Sequence, residues 1–167
     1  TENPDQKQKL IDNPDLMPNF LQECIRMISP VMHMRRTTTC ETEVGGQLMG
    51  PGEKIVMWYG AANRDPSVFT NPDQFDIERA NADKHLAFGI GRHTCIGKPV
   101  ALMQLEETYT QILTRFPNTH MRGDWKVVTA VFQQLPIFGW TESRGIPEPG
   151  RQILVTGVES LQLPRNR

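Results

Sequence analysis

Phe88-Gly89-Ile90-Gly91-Arg92-His93-Thr94-Cys95-Ile96-Gly97 gathers in one stretch the residue types that a chemical site needs and an ordinary loop does not. It is followed by KPVALMQLEETYTQILTRF, in which Leu102, Leu105, Tyr109, Ile112, Leu113 and Phe116 recur at helical spacing. The spacing predicts a helix over 98–116 and puts Cys95 at its N-terminus. Unpaired backbone N–H groups and the positive end of the helix dipole favour negative charge there, and a thiolate is a soft metal ligand. The glycines, lacking Cβ, let a large ligand come close to the backbone.

Other glycine-rich readings fail. A Walker loop places four residues between its first glycine and Gly-Lys-Ser/Thr, whereas Gly91 and Gly97 enclose five and Lys98 is followed by Pro99. A dinucleotide fingerprint requires glycine where Thr94 stands, with an acidic residue in a second strand for the ribose. Zinc held by His93 and Cys95 lacks the paired ligands of a structural site.

The stretch resembles the cysteine loop of the cytochrome P450 haem-thiolate monooxygenases. Phe88, Gly91, His93, Cys95 and Gly97 fall on that family's order of aromatic, glycine, basic residue, cysteine and glycine. The resemblance implies haem b (iron protoporphyrin IX) as cofactor and Cys95 as the axial, metal-binding residue. It also implies His93 as a propionate partner, Phe88 packed beside the sulfur, and Gly89, Gly91 and Gly97 as cofactor-binding backbone. Electron density pushed from such a thiolate favours O–O cleavage. The fold implied is the C-terminal, proximal part of the P450 fold, mainly α with a small antiparallel β-sheet (α+β). Residues 1–167 then form part of a single domain.

Length and charge agree with a chain of that kind. With 167 residues it can bury one core. Its 18 basic and 19 acidic side chains nearly cancel, which gives no electrostatic reason to propose nucleic acid or a membrane surface. No apolar run approaches the roughly 20 residues of a membrane helix, and TENPDQKQKL is no signal peptide, so a soluble cytoplasmic protein is expected. Cys24 and Cys40 read as core packing rather than as parts of a disulfide framework. The chain reads as starting mid-fold, after the long helix that crosses the distal haem face in the family, with well under half of a usual member present.

Residues 1–12 read as a helix between Asn3-Pro4-Asp5 and Asn13-Pro14, with Asp15 expected to cap a second helix over 16–28. Phe20, Leu21, Cys24, Ile25 and Ile28 share one face of that helix, and Glu23 and Arg26 lie on the opposite side. Taken alone, those two are an exposed ion pair of roughly 0–1 kcal/mol. By resemblance, Glu-x-x-Arg is the family's second signature, and Arg79 matches the meander arginine that joins it. The three then form a structural network tying the helix to the cysteine loop.

VMHMRRTTT, TEVGGQLM and EKIVMWYG, separated by Gly45-Gly46 and Gly50-Pro51-Gly52, read as a small antiparallel sheet. In the family the first of these strands runs past the haem edge, which implies Arg36 as a second propionate partner; a one-residue slip in register would substitute Arg35. Val31 and Met32 become possible substrate contacts, although a methionine-rich strand is as readily core. His33 reads as a bystander. AANRDPSVFTNPDQFDIERANADKHLAFG reads as an ordered meander with one short helix after Asp65-Pro66. Past the cysteine, the resemblance aims the N–H groups of Ile96, Gly97 and Lys98 at the sulfur. Leu102 replaces the family's usual arginine, about 123–152 read as a divergent insertion or loop, and ILVTGVESLQL resembles the closing strand.

The function implied is insertion of one atom of O2 into a C–H bond of an apolar substrate, with electrons from a ferredoxin-type or other carrier. Arg92 and Lys98 are candidate contacts for that carrier, though two such charges are more often simply solvated. HMRRT and VMWYGAANRDP resemble members that oxidise alkyl chains, terpenoids or steroids. Rivals are a peroxide-dependent haem-thiolate enzyme and a non-catalytic truncated haem-binding fragment. The 167 residues alone are expected to be inactive.

Overall fold

The computed structural model describes residues 2–119 and the backbone of 152–155. Proline opens the first helix, α1 (Pro4–Asp12), where its missing N–H matters least. Pro14 cannot continue α1, and the Asn13 side chain accepts the Asp15 N–H at 3.3 Å. A 3-10 turn over Pro14–Leu16 then leads into α2 (Met17–Ile28). Asn13 thus caps the 3-10 turn, and α2 starts after Leu16 with no side-chain cap, so Asp15 does not cap it as expected. Ser29 ends α2 in the left-handed region at φ 44°, with its N–H on the Ile25 carbonyl at 2.9 Å and its hydroxyl on that of Arg26 at 2.9 Å.

Helix α2 is buried on two sides. Its apolar side joins Leu10, Met17, Leu21 and Ile77 in a core cluster. Leu102, Leu105, Tyr109 and Leu113 of α4 (Lys98–Arg115) pack against that cluster. The Phe20 and Tyr109 rings meet edge to face, 4.9 Å between centroids. Leu102 thus packs inward, at the position where the family usually has arginine. Ile112 and Phe116, expected on this stripe, are exposed. Ile112 lies at the edge of the stripe, about 20° beyond Leu105, and Phe116 has left the helix at φ −135°. Ile28, expected on the apolar face of α2, is also exposed.

The strands form two sheets rather than the single antiparallel sheet expected. Strand β1 (His33–Thr37) pairs antiparallel with β4 (Lys54–Trp58), and β4 pairs parallel with β5 (Gln152–Val155). Strands β2 (Thr42–Val44) and β3 (Gln47–Met49) make a separate hairpin. Its turn takes Gly45 and Gly46 through φ 55° and 75°, a conformation that favours glycine at both places. A parallel partner for β4 comes from a distant part of the chain, so local alternation could not reveal it. Ile55, Met57, Val44, Met49, Tyr59, Ala62 and Leu86 form the second core cluster.

The strand expected to run through Gly60 ends at Trp58, and Tyr59–Ala62 form a short helix, α3. No helix follows Asp65-Pro66. The Asp65 carboxylate instead accepts the Ser67 N–H and hydroxyl, at 2.9 and 2.6 Å, and closes a turn. The expected insertion over 123–152 lies outside the described residues except for Gln152, which begins β5. Among the described residues no helix is long and apolar enough to cross a membrane.

Candidate functional site

The second side of α2 carries Glu23 and Arg26, and both are fully buried. The exposed pair read from the helix alone is corrected here, because the irregular chain from Asn63 to Arg79 folds over this face. Arg26 grips Glu23 with two bonds, Nε to Oε2 at 2.7 Å and Nη2 to Oε1 at 2.8 Å. Arg79 Nε donates to both carboxylate oxygens at 3.1 and 3.2 Å, and the Asp76 N–H adds a bond of 3.0 Å. Most of the remaining guanidinium hydrogens go to main-chain carbonyls, and Arg26 Nη2 also meets the Met27 sulfur at 2.9 Å. Arg26 Nη1 reaches those of Asn63 and Pro72 at 2.7 and 2.8 Å, while Arg79 reaches those of Thr70 and Gln74 at 2.6 and 2.8 Å. Phe69 lies under the Arg26 guanidinium, 5.1 Å from its ring centre.

Burial pushes the Glu23 carboxyl up. The bonds from Arg26, the Asp76 N–H and Arg79 more than offset that, so it lies below its ordinary 4.5. Its neighbour Cys24 is half-buried, and burial followed by the Glu23 charge pushes its thiol up to about 12. Cys24 is therefore a neutral packing thiol. Cys40, expected in the core, is exposed in the segment before the β2–β3 hairpin.

Asn63 carries the cluster's influence to the cysteine loop. Its carbonyl holds Arg26, its carboxamide donates to the Ser29 hydroxyl at 2.8 Å, and its Oδ1 accepts the Leu86 N–H at 2.6 Å. Two residues on, the Phe88 carbonyl accepts the Cys95 N–H at 2.8 Å. Gly89 and Gly91 reverse the chain at φ 70° and 63°, and a Cβ on Gly89 would stand 3.0 Å from the His93 carbonyl oxygen. Lys98 stacks its ammonium 5.7 Å from the Phe88 ring centre and gives its N–H to the Cys95 carbonyl at 3.2 Å. That N–H, expected to face the sulfur, is thus engaged with the main chain.

Cys95 is exposed three residues before the first residue of α4, close to the predicted helix start, and its main chain is held on both sides. Ile96 beside it is 99% exposed, and Ile90 is exposed as well. His93 is exposed in the turn Gly91–His93. On β1 the register pairs Arg36 with Ile55 and Met34 with Met57, so Arg36 shares the face of those two buried residues and is half-buried. Arg35 pairs with Val56 on the other face and is exposed. Val31 and Met32 are exposed just before β1, and the Met32 carbonyl accepts the Gly60 N–H at 3.2 Å. His33 stacks on Trp58 at 4.8 Å.

These residues suit a haem. Cys95 offers a single soft sulfur on a loop whose main chain is pinned on both sides, a donor that suits a haem iron. Ile96, next to Cys95 in the chain, and Ile90, earlier in the loop, are bare apolar side chains of the kind a flat apolar cofactor covers.

A cysteine loop braced by a buried Glu-Arg-Arg cluster defines a site of the haem-thiolate class. Residues 3–130 match the family model for cytochrome P450, and the chain belongs to that family. Membership implies a haem cofactor. The chain is 43% identical over 115 residues to linalool 8-monooxygenase of Pseudomonas putida, covering 69% of this chain and 28% of that protein. It is 35% identical over 147 residues to the biotin biosynthesis cytochrome P450 of Bacillus subtilis, covering 87% of this chain and 35% of the relative. Among solved structures, cytochrome P450-153 from Novosphingobium aromaticivorans superposes with a TM-score of 0.67 at 44% identity, over 69% of this chain and 29% of that one. P450BioI, in complex with acyl carrier protein ligated to hexadec-9Z-enoic acid, superposes with a TM-score of 0.72 at 38% identity, over 75% and 32%. The chain thus spans about a third or less of the length of these relatives.

Sequence reasoning missed Asn63 and His85. Asn63 works through three separate groups of one residue, and His85 is a lone histidine in a meander. Neither follows a spacing that periodicity or motif reading detects.

Proposed function

We propose that this chain forms the thiolate side of a haem monooxygenase that inserts one atom of O2 into a C–H bond of an apolar substrate. The observation that carries the proposal is the exposed Cys95 on a loop tied to a buried Glu23–Arg26–Arg79 cluster. Bound haem supplies the iron at which O2 is reduced and cleaved. Cys95 would hold that iron through its thiolate, and the Phe88 and Lys98 main-chain bonds hold the cysteine in place. Phe88 keeps water from one side of the sulfur. Arg36 and His93 bind the propionates, and for Arg36 the support is its half-buried place on the inner face of β1. Glu23, Arg26 and Arg79 are structural. Val31 and Met32 contact substrate, and a ferredoxin-type or other carrier delivers electrons near Arg92 and Lys98. An apolar substrate accords with the linalool and fatty-acyl chemistry named for two relatives.

The 167 residues by themselves are proposed to be inactive, since Ile90, Ile96, Val100 and Met103 stand bare. The test supplies the full-length, haem-loaded protein with a ferredoxin, its reductase, a terpene or fatty substrate and 18O2, and separately with peroxide. Product carrying label from O2 and dependent on the reductase is expected. Product formed with peroxide alone would replace the reading with a peroxide-dependent one. Haem binding without product under either condition would reduce the chain to a scaffold.

A further inference from the structure

The sequence gives His85 no role, yet it is buried, 6% exposed, between α2 and the cysteine loop. Its Nδ1 accepts the Ala87 N–H at 3.1 Å, so the ring's proton must sit on Nε2, which faces Gln22 Oε1 at 3.1 Å. One tautomer satisfies both partners. The imidazole packs against the Phe88 ring, 5.8 Å between centres and tilted by 48°. Gln22 immediately precedes Glu23, so one turn of α2 reaches His85, beside the cysteine loop, with one side chain and holds the ion cluster with the next.

We infer that the Gln22–His85 bond is a strut that positions Phe88, and through the Phe88 carbonyl the main chain of Cys95. The inference rests on the reading of Cys95 as the haem ligand. The charged groups acting on His85 are Lys98, Asp83, Arg26 and Glu23. Burial, and then Lys98, lower the imidazole from 6.5 to about 4, which keeps it neutral and Nδ1 free to accept. The apolar shell and dipoles around a ligating sulfur set its donation to iron and hence the potential. Loosening Phe88 should alter both without removing a ligand.

The experiment compares Gln22→Leu, His85→Leu, the double variant, His85→Gln and Cys95→Ser in the full-length, haem-loaded protein. It reads the iron–sulfur stretching band by resonance Raman and the midpoint potential, alongside haem content and urea midpoint. Gln22→Leu should keep its haem, move the band and change the ferric-to-ferrous ratio at fixed poise by about threefold or more. The double variant should move no further than the larger single change, because both break one bond. His85→Gln, which keeps a donor towards Gln22, should recover most of the wild-type band. Where His85→Leu does not load haem, Gln22→Leu and His85→Gln decide the matter. Lower urea midpoints with band and potential at wild-type values, or additive shifts, would overturn the strut alone. An iron–sulfur band that survives in Cys95→Ser would overturn the ligand assignment, and the strut with it.

Discussion

Replacing Glu23 by alanine removes the carboxylate that joins two guanidiniums that are 0% and 7% exposed. Breaking a buried pair in this way costs about 3–5 kcal/mol, because the charges left behind are neither solvated nor paired. The Asp76 N–H also loses its acceptor, which adds about 1–3 kcal/mol. A sum of about 4–8 kcal/mol is comparable with the whole ~5–15 kcal/mol by which domains are stable. Glu23→Gln keeps one oxygen for a guanidinium but turns an NH2 towards the other donors, and should cost about half as much. Urea unfolding followed by tryptophan fluorescence, with haem content measured in parallel, reads both variants. The Glu23 carboxyl lies below 4.5 when folded, so its contribution is present above pH 4.5 and is lost as pH falls through the lower folded value. Wild-type protein should therefore lose stability more steeply below pH 4.5 than Glu23→Gln does. The reasoning is refuted if Glu23→Ala stays within about 1 kcal/mol of wild type, or if it holds normal haem while losing turnover per haem.

Arg36→Ala and His93→Ala should each weaken haem retention by about 1.5–3 kcal/mol, the worth of a charge-assisted bond, read as faster haem transfer to apomyoglobin. Greater harm from Arg35→Ala would mean that the wrong face of β1 has been assigned. His85 has a folded value near 4 against 6.5 when exposed, so its neutral form stabilises fully above pH 6.5 and that contribution fades as pH falls towards 4. The total is about 3 kcal/mol, and urea midpoints between those limits should slope in wild type but not in His85→Gln. Purified residues 1–167 reconstituted with haemin should give no coupled oxidation, and saturable turnover by a monodisperse species would contradict that.

The long helices were legible because their signals are local. Pro4, Asn13-Pro14 and the stripe Leu102, Leu105, Tyr109 and Leu113 punctuate and pattern them. The cysteine loop and Glu-x-x-Arg were legible as motifs. What a helical wheel could not tell is that Glu23 and Arg26, on the polar face of α2, are fully buried. The carbonyls of Asn63, Thr70, Pro72 and Gln74 that make this tolerable come from irregular backbone with no period. The parallel β4–β5 pairing and the Gln22–His85 bond join residues 98 and 63 positions apart, read from Lys54 with Gln152 and from Gln22 with His85. Contacts of that reach leave no trace in a window of sequence.

The central claim is that Cys95 is the axial ligand, and its most direct measurement is the absorption spectrum of the reduced, carbon monoxide-bound, full-length protein in wild type and Cys95→Ser. Wild type should show the red-shifted Soret band of a thiolate-ligated haem, and the serine variant should lose it while the protein remains folded. An unchanged band in Cys95→Ser would remove Cys95 as the ligand and contradict the account.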